Sequence, residues 1–245
     1  MPSDEEPAGG IVPDCEALKR ENASLKAQVE FLNRKLQLVG SITRHDVLNQ
    51  LTAVVGYNEL MGMMVQDPKL KSFLDKEKMA IDKIRRQFSY AKDYQNIAVE
   101  PPRWQNIRNT VTLVSEMLNL GEVKVVVETG DAAVLADPLL IRAVFHLFEN
   151  TLRHAETATT IRVTITATAD GALLVIEDNG RGVQPNDKEK IFERGFGKGT
   201  GWGLFIVREV LAVTGMTIRE TGTPGTGARF EILVPKDRLR MSGIE

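Results

Sequence analysis

Apolar residues recur at a strict seven-residue spacing near the start of this chain. Leucine or valine occupies positions 18, 25, 32 and 39, and a second series three positions earlier comprises Cys15, Asn22, Val29 and Leu36. Two such series define the a and d positions of a heptad repeat, whose apolar seam a helix can bury only against another helix. The repeat therefore predicts a parallel coiled coil over residues 14–40, with a single amphipathic helix as the alternative.

The helical pattern continues beyond the heptads. Apolar residues at helical spacing extend to a turn signal at Gln66-Asp67-Pro68, and a second helix with one apolar face follows to about residue 97. Two antiparallel helices cannot bury this much apolar surface alone. We therefore expect residues 41–98 to form a hairpin that pairs with a second copy as a four-helix bundle, which makes the protein a homodimer.

The pattern of the chain changes after Glu100-Pro101-Pro102, which ends the helical region. Beyond it, apolar helical patterns alternate with β-rich runs, which is typical of an α+β domain with helices over a sheet. The helical patterns are Ile107–Leu120, Leu139–Ala155 and Leu204–Thr214, and the β-rich runs are Val123–Val127, Ile161–Ala167, Leu173–Ile176 and Phe230–Val234. The predicted protein is multidomain. Its segments are a disordered tail over residues 1–13, the coiled coil over 14–40, the hairpin over 41–98, a linker over 99–103, the α+β domain over 104–236 and a tail over 237–245.

Composition and charge argue against several classes of protein. The net charge of −2 gives no electrostatic reason to expect binding to nucleic acid or to an anionic membrane. The single cysteine, Cys15, excludes an intrachain disulfide framework and favours a reducing compartment. Neither a run of eighteen apolar residues nor a secretory leader occurs in the sequence. We therefore expect a cytoplasmic protein without direct membrane insertion, whose upstream sensor, if it has one, is another protein.

Two glycine-rich segments flank a short charged insert in the α+β region. Asp178-Asn179-Gly180-Arg181-Gly182 follows an apolar strand pattern, and Gly199-Thr200-Gly201-Trp202-Gly203-Leu204 leads into an apolar helix. Glycine lets main-chain amides approach a ligand closely, and a helix N-terminus favours phosphate. The two segments together predict a nucleotide site, with two plain surface turns as the alternative. A Walker A loop is excluded because Lys198 is followed by glycine rather than serine or threonine.

His45 lies on the first long helix, next to Asp46 and four residues before Asn49. This spacing places His45 and Asn49 on one stripe of the helix, beside the apolar stripe, so we expect the histidine to face solvent. A neighbouring carboxylate can fix the tautomer of an imidazole and accept its proton, which leaves the other ring nitrogen nucleophilic. The alternative for this residue alone is an ordinary surface histidine.

A second polar cluster contains the other two histidines. His146, Asn150 and His154 are four residues apart on one face of a predicted helix, with Glu149 and Arg153 alongside. Oxygen ligands from Asn and Glu suit Mg²⁺, which in turn holds phosphates. A polar solvent face is the alternative. Zinc is disfavoured, because the two histidines are eight residues apart and no Cys or Asp completes a ligand set.

In chain order, these segments and the Phe192/Phe196 segment between the two glycine segments resemble the phosphoacceptor, N, first glycine, F and second glycine boxes of sensor histidine kinases. The resemblance covers about residues 40–235. The resemblance implies a Bergerat-type ATP-binding domain, an α+β sandwich in which Asp178 hydrogen-bonds the adenine amino group and Asn150 ligates Mg²⁺. It further implies that His45 accepts the γ-phosphoryl group with Asp46 as general base. The group would then pass to an aspartate of a response-regulator receiver domain, and Asn49 matches the position that orients water when the regulator is dephosphorylated.

The resemblance implies roles for the remaining site residues as well, although His146 stands where the family has an asparagine and Arg153 where it has a lysine. Two other functions stay open: an ATPase or serine kinase of the same superfamily that uses Glu149 to activate water or a hydroxyl, and a nucleotide-binding signalling scaffold. The expected site comprises His45, Asp46, Asn49 and Glu149 for catalysis; Asn150, Arg153, His154, Asp178, Gly180, Gly182, Lys198, Gly199, Gly201, Gly203 and Leu204 for ATP; and Asn150 and His146 for Mg²⁺.

Overall fold

A computed structural model of the protein describes residues 15–154, 157–197 and 200–241. Over these residues the chain divides after Gln50 into two compact units. The disordered tail predicted for residues 1–13 lies outside the described residues.

The described residues of the first unit are all helical. Its residues from Cys15 onward belong to helix α1 (Cys15–Met64). The leucine and valine residues of both heptad series are exposed, from 47% at Leu18 to 65% at Leu36, and Cys15 is exposed as well. The helix is therefore observed where it is predicted, while the coiled coil and the dimeric bundle stay predictions about an assembly of two chains.

The second unit begins with the last turns of α1 and with helix α2 (Pro68–Asn96). Asp67 caps α2 by accepting a hydrogen bond from the first-turn backbone at 2.8 Å, and Pro68 occupies a position where its missing N–H costs nothing. The buried Asn58 of α1 donates to Glu77 Oε2 of α2 at 3.2 Å. The predicted turn is therefore confirmed. Neither helix, nor any other among the described residues, is long and apolar enough to cross a membrane.

Over its described residues, the rest of the second unit is an α/β domain of eight strands and three α-helices. Five strands form a sheet in the order β2-β4-β5-β7-β6, in which β2 and β4 are parallel and the other neighbours antiparallel; β1, β3 and β8 form an antiparallel sheet in the order β1-β3-β8. In chain order the elements are β1 (Arg103–Asn106), α3 (Ile107–Met117), β2 (Lys124–Glu128), β3 (Ala133–Ala136), α4 (Leu140–His154), β4 (Thr160–Thr168), β5 (Gly171–Asp178), α5 (Gly203–Ala212), β6 (Thr217–Glu220), β7 (Arg229–Pro235) and β8 (Leu239–Arg240).

The core of this domain lies between the helices and one face of the five-stranded sheet. Alternate residues of the central strands point into it, and Leu174 and Ile176 of β5 are each 2% exposed, as are Phe230 and Ile232 of β7. The intervening Leu233 is 44% exposed, as the two-residue period of a strand requires. The predicted class of helices packed on a sheet is therefore confirmed.

Four short strands are absent from the sequence prediction: β1, β3, β6 and β8. Strand β1 begins at Arg103, inside the predicted linker over residues 99–103. Strand β8 lies in the predicted tail over 237–245, where Leu239 pairs with Val134 and packs on the core. The predicted end of the linker and the predicted start of the tail are therefore wrong at these residues. The reason is that strands of two to four residues are too short to show a period in sequence.

Candidate functional site

His45 lies on α1 in the first unit, and its side chain is 73% exposed. Its Nδ1 atom is 3.2 Å from Asp46 Oδ1, and Asn49 Nδ2 is 3.3 Å from each ring nitrogen. A carboxylate that accepts the Nδ1 proton leaves the lone pair on Nε2. The exposure predicted for His45 and its contact with Asp46 are both observed. The chemical roles of the three residues stay predictions.

The second unit contains a cavity of about 500 Å³, a volume typical of small-molecule sites. Most of its lining residues come from three segments that are distant in sequence, namely the polar face of α4, the loop after β5 and the start of α5. The predicted site residues among its lining are His146, Glu149, Asn150, Arg153, Asp178, Gly182, Gly201, Gly203 and Leu204.

Asp178 ends β5 at the cavity, and both of its carboxylate oxygens accept hydrogen bonds. Oδ1 accepts from the backbone N–H groups of Gly180 at 2.9 Å and Ala228 at 3.1 Å, and Oδ2 accepts from the Thr151 hydroxyl at 2.8 Å. Three donors therefore fix the orientation of this carboxylate. Gly180 does not line the cavity, but its amide holds Asp178 in place. The sequence prediction contains neither Thr151 nor Ala228.

Close backbone contacts demand glycine at two points around the cavity. At Gly201 the φ angle is +67°, and a Cβ atom would lie 2.4 Å from the backbone of Gly195. At Gly227 φ is +133°, and a Cβ atom would lie 1.7 Å from the carbonyl oxygen of Asp178. Any side chain at either position would displace a cavity wall. The second glycine segment also leads directly into helix α5, which begins at Gly203, as the sequence predicts.

Glu149, on α4, is held by several polar groups. Its Oε1 atom accepts from Arg153 at 2.6 Å, and its Oε2 atom accepts from the Tyr90 hydroxyl at 3.2 Å. Burial raises the pKa of Glu149, but the nearby imidazole of His146 and the guanidinium of Arg153 outweigh it and hold the pKa below its usual value. Glu149 is therefore a carboxylate at neutral pH.

The side chain of His146 is completely buried, which contradicts the alternative of a polar solvent face for this residue. Its Nε2 atom lies 3.4 Å from Asp93 Oδ2 and its Nδ1 atom 3.7 Å from Glu149 Oε2, without hydrogen-bond geometry in either case. Both nitrogens therefore face carboxylates, an arrangement that favours a bridge between two acids over a metal ligand. Among the described residues, no group of three or more His, Cys, Asp and Glu side chains is placed to hold a metal ion.

Three residues near the end of α2 contact the α/β domain. Tyr90 reaches Glu149, Asp93 Oδ2 lies 2.8 Å from Arg142 Nη2, and the Tyr94 ring packs against Trp202 at 6.0 Å between centroids. Burial raises the pKa of Asp93, but the nearby imidazole of His146 and the guanidinium of Arg142, which donates to Asp93, outweigh it and lower the pKa overall. Burial and the neighbouring Glu149 carboxylate raise the pKa of Tyr90.

The predicted site and the observed cavity lining differ in both directions. Lys198, Gly199 and the side chain of His154 lie outside the described residues, so their contacts with ATP stay predictions. The lining residues Val183 and Gln184 could have been predicted from the sequence, because they directly follow the first glycine segment. Nothing local marks Tyr90, whose partner is 59 residues away. The lining residues that the sequence analysis does not assign are Tyr90, Arg181, Val183, Gln184, Asp187, Ile191, Phe196, Gly197, Thr200 and Ala228.

Comparison with known proteins identifies the class of the α/β domain. Residues 136–238 match the family described as "Histidine kinase-, DNA gyrase B-, and HSP90-like ATPase". This part of the chain contains Asp178, both glycine segments and all of α4. Because it is similar to that family, it is named the ATPase domain.

Relatives extend the comparison to the rest of the chain. Sensor protein IrlS of Burkholderia pseudomallei is 36% identical over 46% of this chain and 26% of its own length. Signal transduction histidine-protein kinase AtoS of Escherichia coli is 25% identical over 89% of this chain and 37% of its own length. A solved structure of full-length ShkA in complex with AMPPNP has the same fold, with a TM-score of 0.58 and 23% identity over 80% of this chain and 45% of that one.

Together, the family match and these relatives show that the chain is similar to two-component sensor histidine kinases. The chain spans about a quarter of the length of IrlS and about a third of the length of AtoS.

Proposed function

We propose that the chain is a protein-histidine autokinase, which transfers the γ-phosphoryl group of ATP to His45 and then passes it to an aspartate of a response-regulator receiver domain. The observation that carries the proposal is the exposed imidazole of His45, with Asp46 3.2 Å from its Nδ1 atom, in a chain that also has an ATPase-family domain. An ATPase or a nucleotide-binding scaffold would have no use for an exposed histidine paired with the Asp46 carboxylate.

In the proposed reaction, His45 Nε2 attacks the γ-phosphorus of ATP. The N–P bond forms as the bond to the β–γ bridging oxygen breaks, which gives phosphohistidine and ADP. The Nδ1 proton passes to Asp46, so the positive charge that develops on the ring is neutralised. Phosphoryl transfer of this kind depends mainly on positioning and charge neutralisation, which a fixed cavity and an oriented imidazole can supply.

The cavity fits a bound nucleotide. Asp178, oriented by its three donors, would accept from the exocyclic amino group of adenine, and the amides at the start of α5 would accept the phosphates. The AMPPNP bound to ShkA, a protein of the same fold, agrees with this assignment. Asn150 would hold Mg²⁺ through its amide oxygen, and the ion would neutralise phosphate charge. Four further residues are proposed to contact ATP: Arg153, His154, Lys198 and Gly199. His146 is a less favourable candidate for contact with the ion.

We further infer a homodimer that both phosphorylates and dephosphorylates its regulator. The exposed heptad residues of the first unit, such as Leu25 and Leu32, have the spacing of a dimeric coiled coil. The Asn49 amide, 3.3 Å from the His45 ring, is placed where it could orient a water for dephosphorylation of the regulator. The signal itself would come from an upstream protein or segment.

Incubation with γ-labelled ATP and Mg²⁺ tests the proposal. Label on the protein that is lost in acid and retained in alkali supports the autokinase, because phosphohistidine has that stability. Release of free phosphate without labelled protein would instead favour the ATPase that uses Glu149. Nucleotide binding with neither product would favour the scaffold.

A further inference from the structure

Tyr90 of α2 forms part of the wall of the cavity, although it lies far from every glycine segment. Its hydroxyl donates to Glu149 Oε2 at 3.2 Å and interacts with Thr200 of the second glycine segment. Its ring packs on His146, with 5.1 Å between the two centroids. One side chain of α2 therefore touches both the polar face of α4 and the loop that leads into α5.

The orientation of Tyr90 depends on contacts that hold α2 against the domain. About one helical turn further along α2, Oδ2 of the buried Asp93 lies 2.8 Å from Nη2 of Arg142, which belongs to α4. Tyr94 packs against Trp202 and Phe205, with centroid distances of 6.0 and 5.7 Å. None of these five residues lines the cavity, so they fix the position of α2 and do not contact the nucleotide themselves.

Glu149 connects Tyr90 to Arg153, because it accepts a hydrogen bond from each of them. Its second oxygen accepts from Arg153 at 2.6 Å, and both Glu149 and Arg153 line the cavity. If the Tyr90 hydroxyl were removed, Glu149 would lose one of its two hydrogen-bond donors, and the Glu149–Arg153 pair would lose its fixed orientation.

We propose that Tyr90 is a positioning residue of the nucleotide site: through Glu149 it makes the affinity for ATP depend on the docking of α2. The inference rests on the proposed function, since it takes the cavity to be the ATP site. By linkage, a nucleotide that binds more tightly when α2 is docked also stabilises the docked state by the same factor. The helix of the phosphoacceptor hairpin would thereby respond to nucleotide occupancy.

The test is the substitution Tyr90→Phe in the full chain, with AMPPNP and Mg²⁺ titrated by calorimetry and KM and kcat measured for autophosphorylation. The dissociation constant and KM are expected to rise about threefold to tenfold, the size of one typical lost hydrogen bond, with a smaller change in kcat. Tyr57→Phe is the matched control, because Tyr57 is 67% exposed on α1 and should change neither value.

A double-mutant cycle with Glu149→Ala separates positioning from general destabilisation. If Tyr90 acts through Glu149, adding Tyr90→Phe to Glu149→Ala should change the affinity by less than about twofold. An equal effect in both backgrounds would overturn the inference, as would wild-type affinity and KM in Tyr90→Phe itself. Thermal melting of each variant shows whether the fold is retained.

Undocking α2 from outside the cavity gives a second, independent test. The variant Asp93→Asn with Arg142→Met removes both charges of the pair, so that no unpaired buried charge remains. The proposal predicts weaker AMPPNP binding in this variant, and unchanged binding would contradict it. If the wild-type chain itself binds no nucleotide, the proposed function fails; if it binds nucleotide and labels His45 while Tyr90→Phe behaves identically, only the role of Tyr90 fails.

Discussion

The two units of the chain differ in what their apolar residues contact. In the first unit, Leu25 and Leu32 are 51% and 56% exposed, whereas Phe148 and Ile206 of the ATPase domain are completely buried. Burying a leucine stabilises a protein by about 2 kcal/mol, so a helix that leaves a whole seam exposed forgoes much of its potential stability. The ATPase domain therefore supplies its own core, while the first unit needs a second helix.

The largest expected effect is on nucleotide affinity, and it comes from a substitution in the ATPase domain. In Asp178→Asn, the amide nitrogen can face Thr151, whose hydroxyl can turn to accept, while the amide oxygen still accepts from Gly180 and Ala228. The fold should survive, but the acceptor for adenine is replaced by a donor. We expect AMPPNP affinity to fall about ten- to a hundredfold by calorimetry.

Asp170→Asn serves as the control for that experiment, since Asp170 is an exposed turn residue of the same domain. Unchanged affinity in Asp178→Asn would remove Asp178 from the nucleotide site.

The next effect belongs to the first unit. Leu25→Asp places a charge in the heptad seam, so the dimer should dissociate at least about tenfold more readily in analytical ultracentrifugation. AMPPNP binding by the ATPase domain should change by less than about twofold, because that domain has its own core. A wild-type protein that is monomeric at micromolar concentration, or a Leu25→Asp dimer as tight as wild type, would contradict the comparison.

These contrasts also show what the sequence could reveal. The heptads and the glycine segments are local patterns, and with the polar cluster around Asn150 they predicted the helices, the fold class and nine of the nineteen residues that line the cavity. Tyr90, Asp93 and Arg142 could not be recognised, because their partners lie about 50 to 60 residues away and carry no motif. The burial of His146 was missed for the same reason: the helical spacing alone does not reveal that α2 covers this face of α4.

A smaller effect separates two activities at one histidine. Asn49→Ala removes the amide near the His45 ring but leaves the contact of Asp46 with Nδ1. Autophosphorylation should stay within about twofold of wild type, while dephosphorylation of a phosphorylated receiver domain slows about tenfold, as expected when one positioning group is lost. Both rates are followed with labelled phosphate. Equal losses in the two reactions would indicate impaired docking or folding instead.

The smallest effect concerns the register of the coiled coil. Asn22 is the one amide in the heptad series that begins at Cys15. In the proposed parallel coiled coil it would cost stability that its partner offsets only in part, so Asn22→Val should raise the melting temperature by a few degrees. Control over register or oligomeric state should loosen at the same time, as native mass spectrometry would show. A parallel register also places the two copies of Cys15 opposite each other, so mild oxidation should cross-link the dimer. An intact dimer that does not cross-link would argue against that register.

The central claim is that the exposed histidine of the first unit receives the phosphoryl group that the ATPase domain supplies. The most direct measurement is the stoichiometry of acid-labile label after incubation of wild type and His45→Gln with γ-labelled ATP, alongside AMPPNP affinity for both. Glutamine keeps a polar side chain at this exposed helical position, so the fold and the affinity should be unchanged. The account predicts label on wild type and none on His45→Gln; residual label on the variant would contradict it.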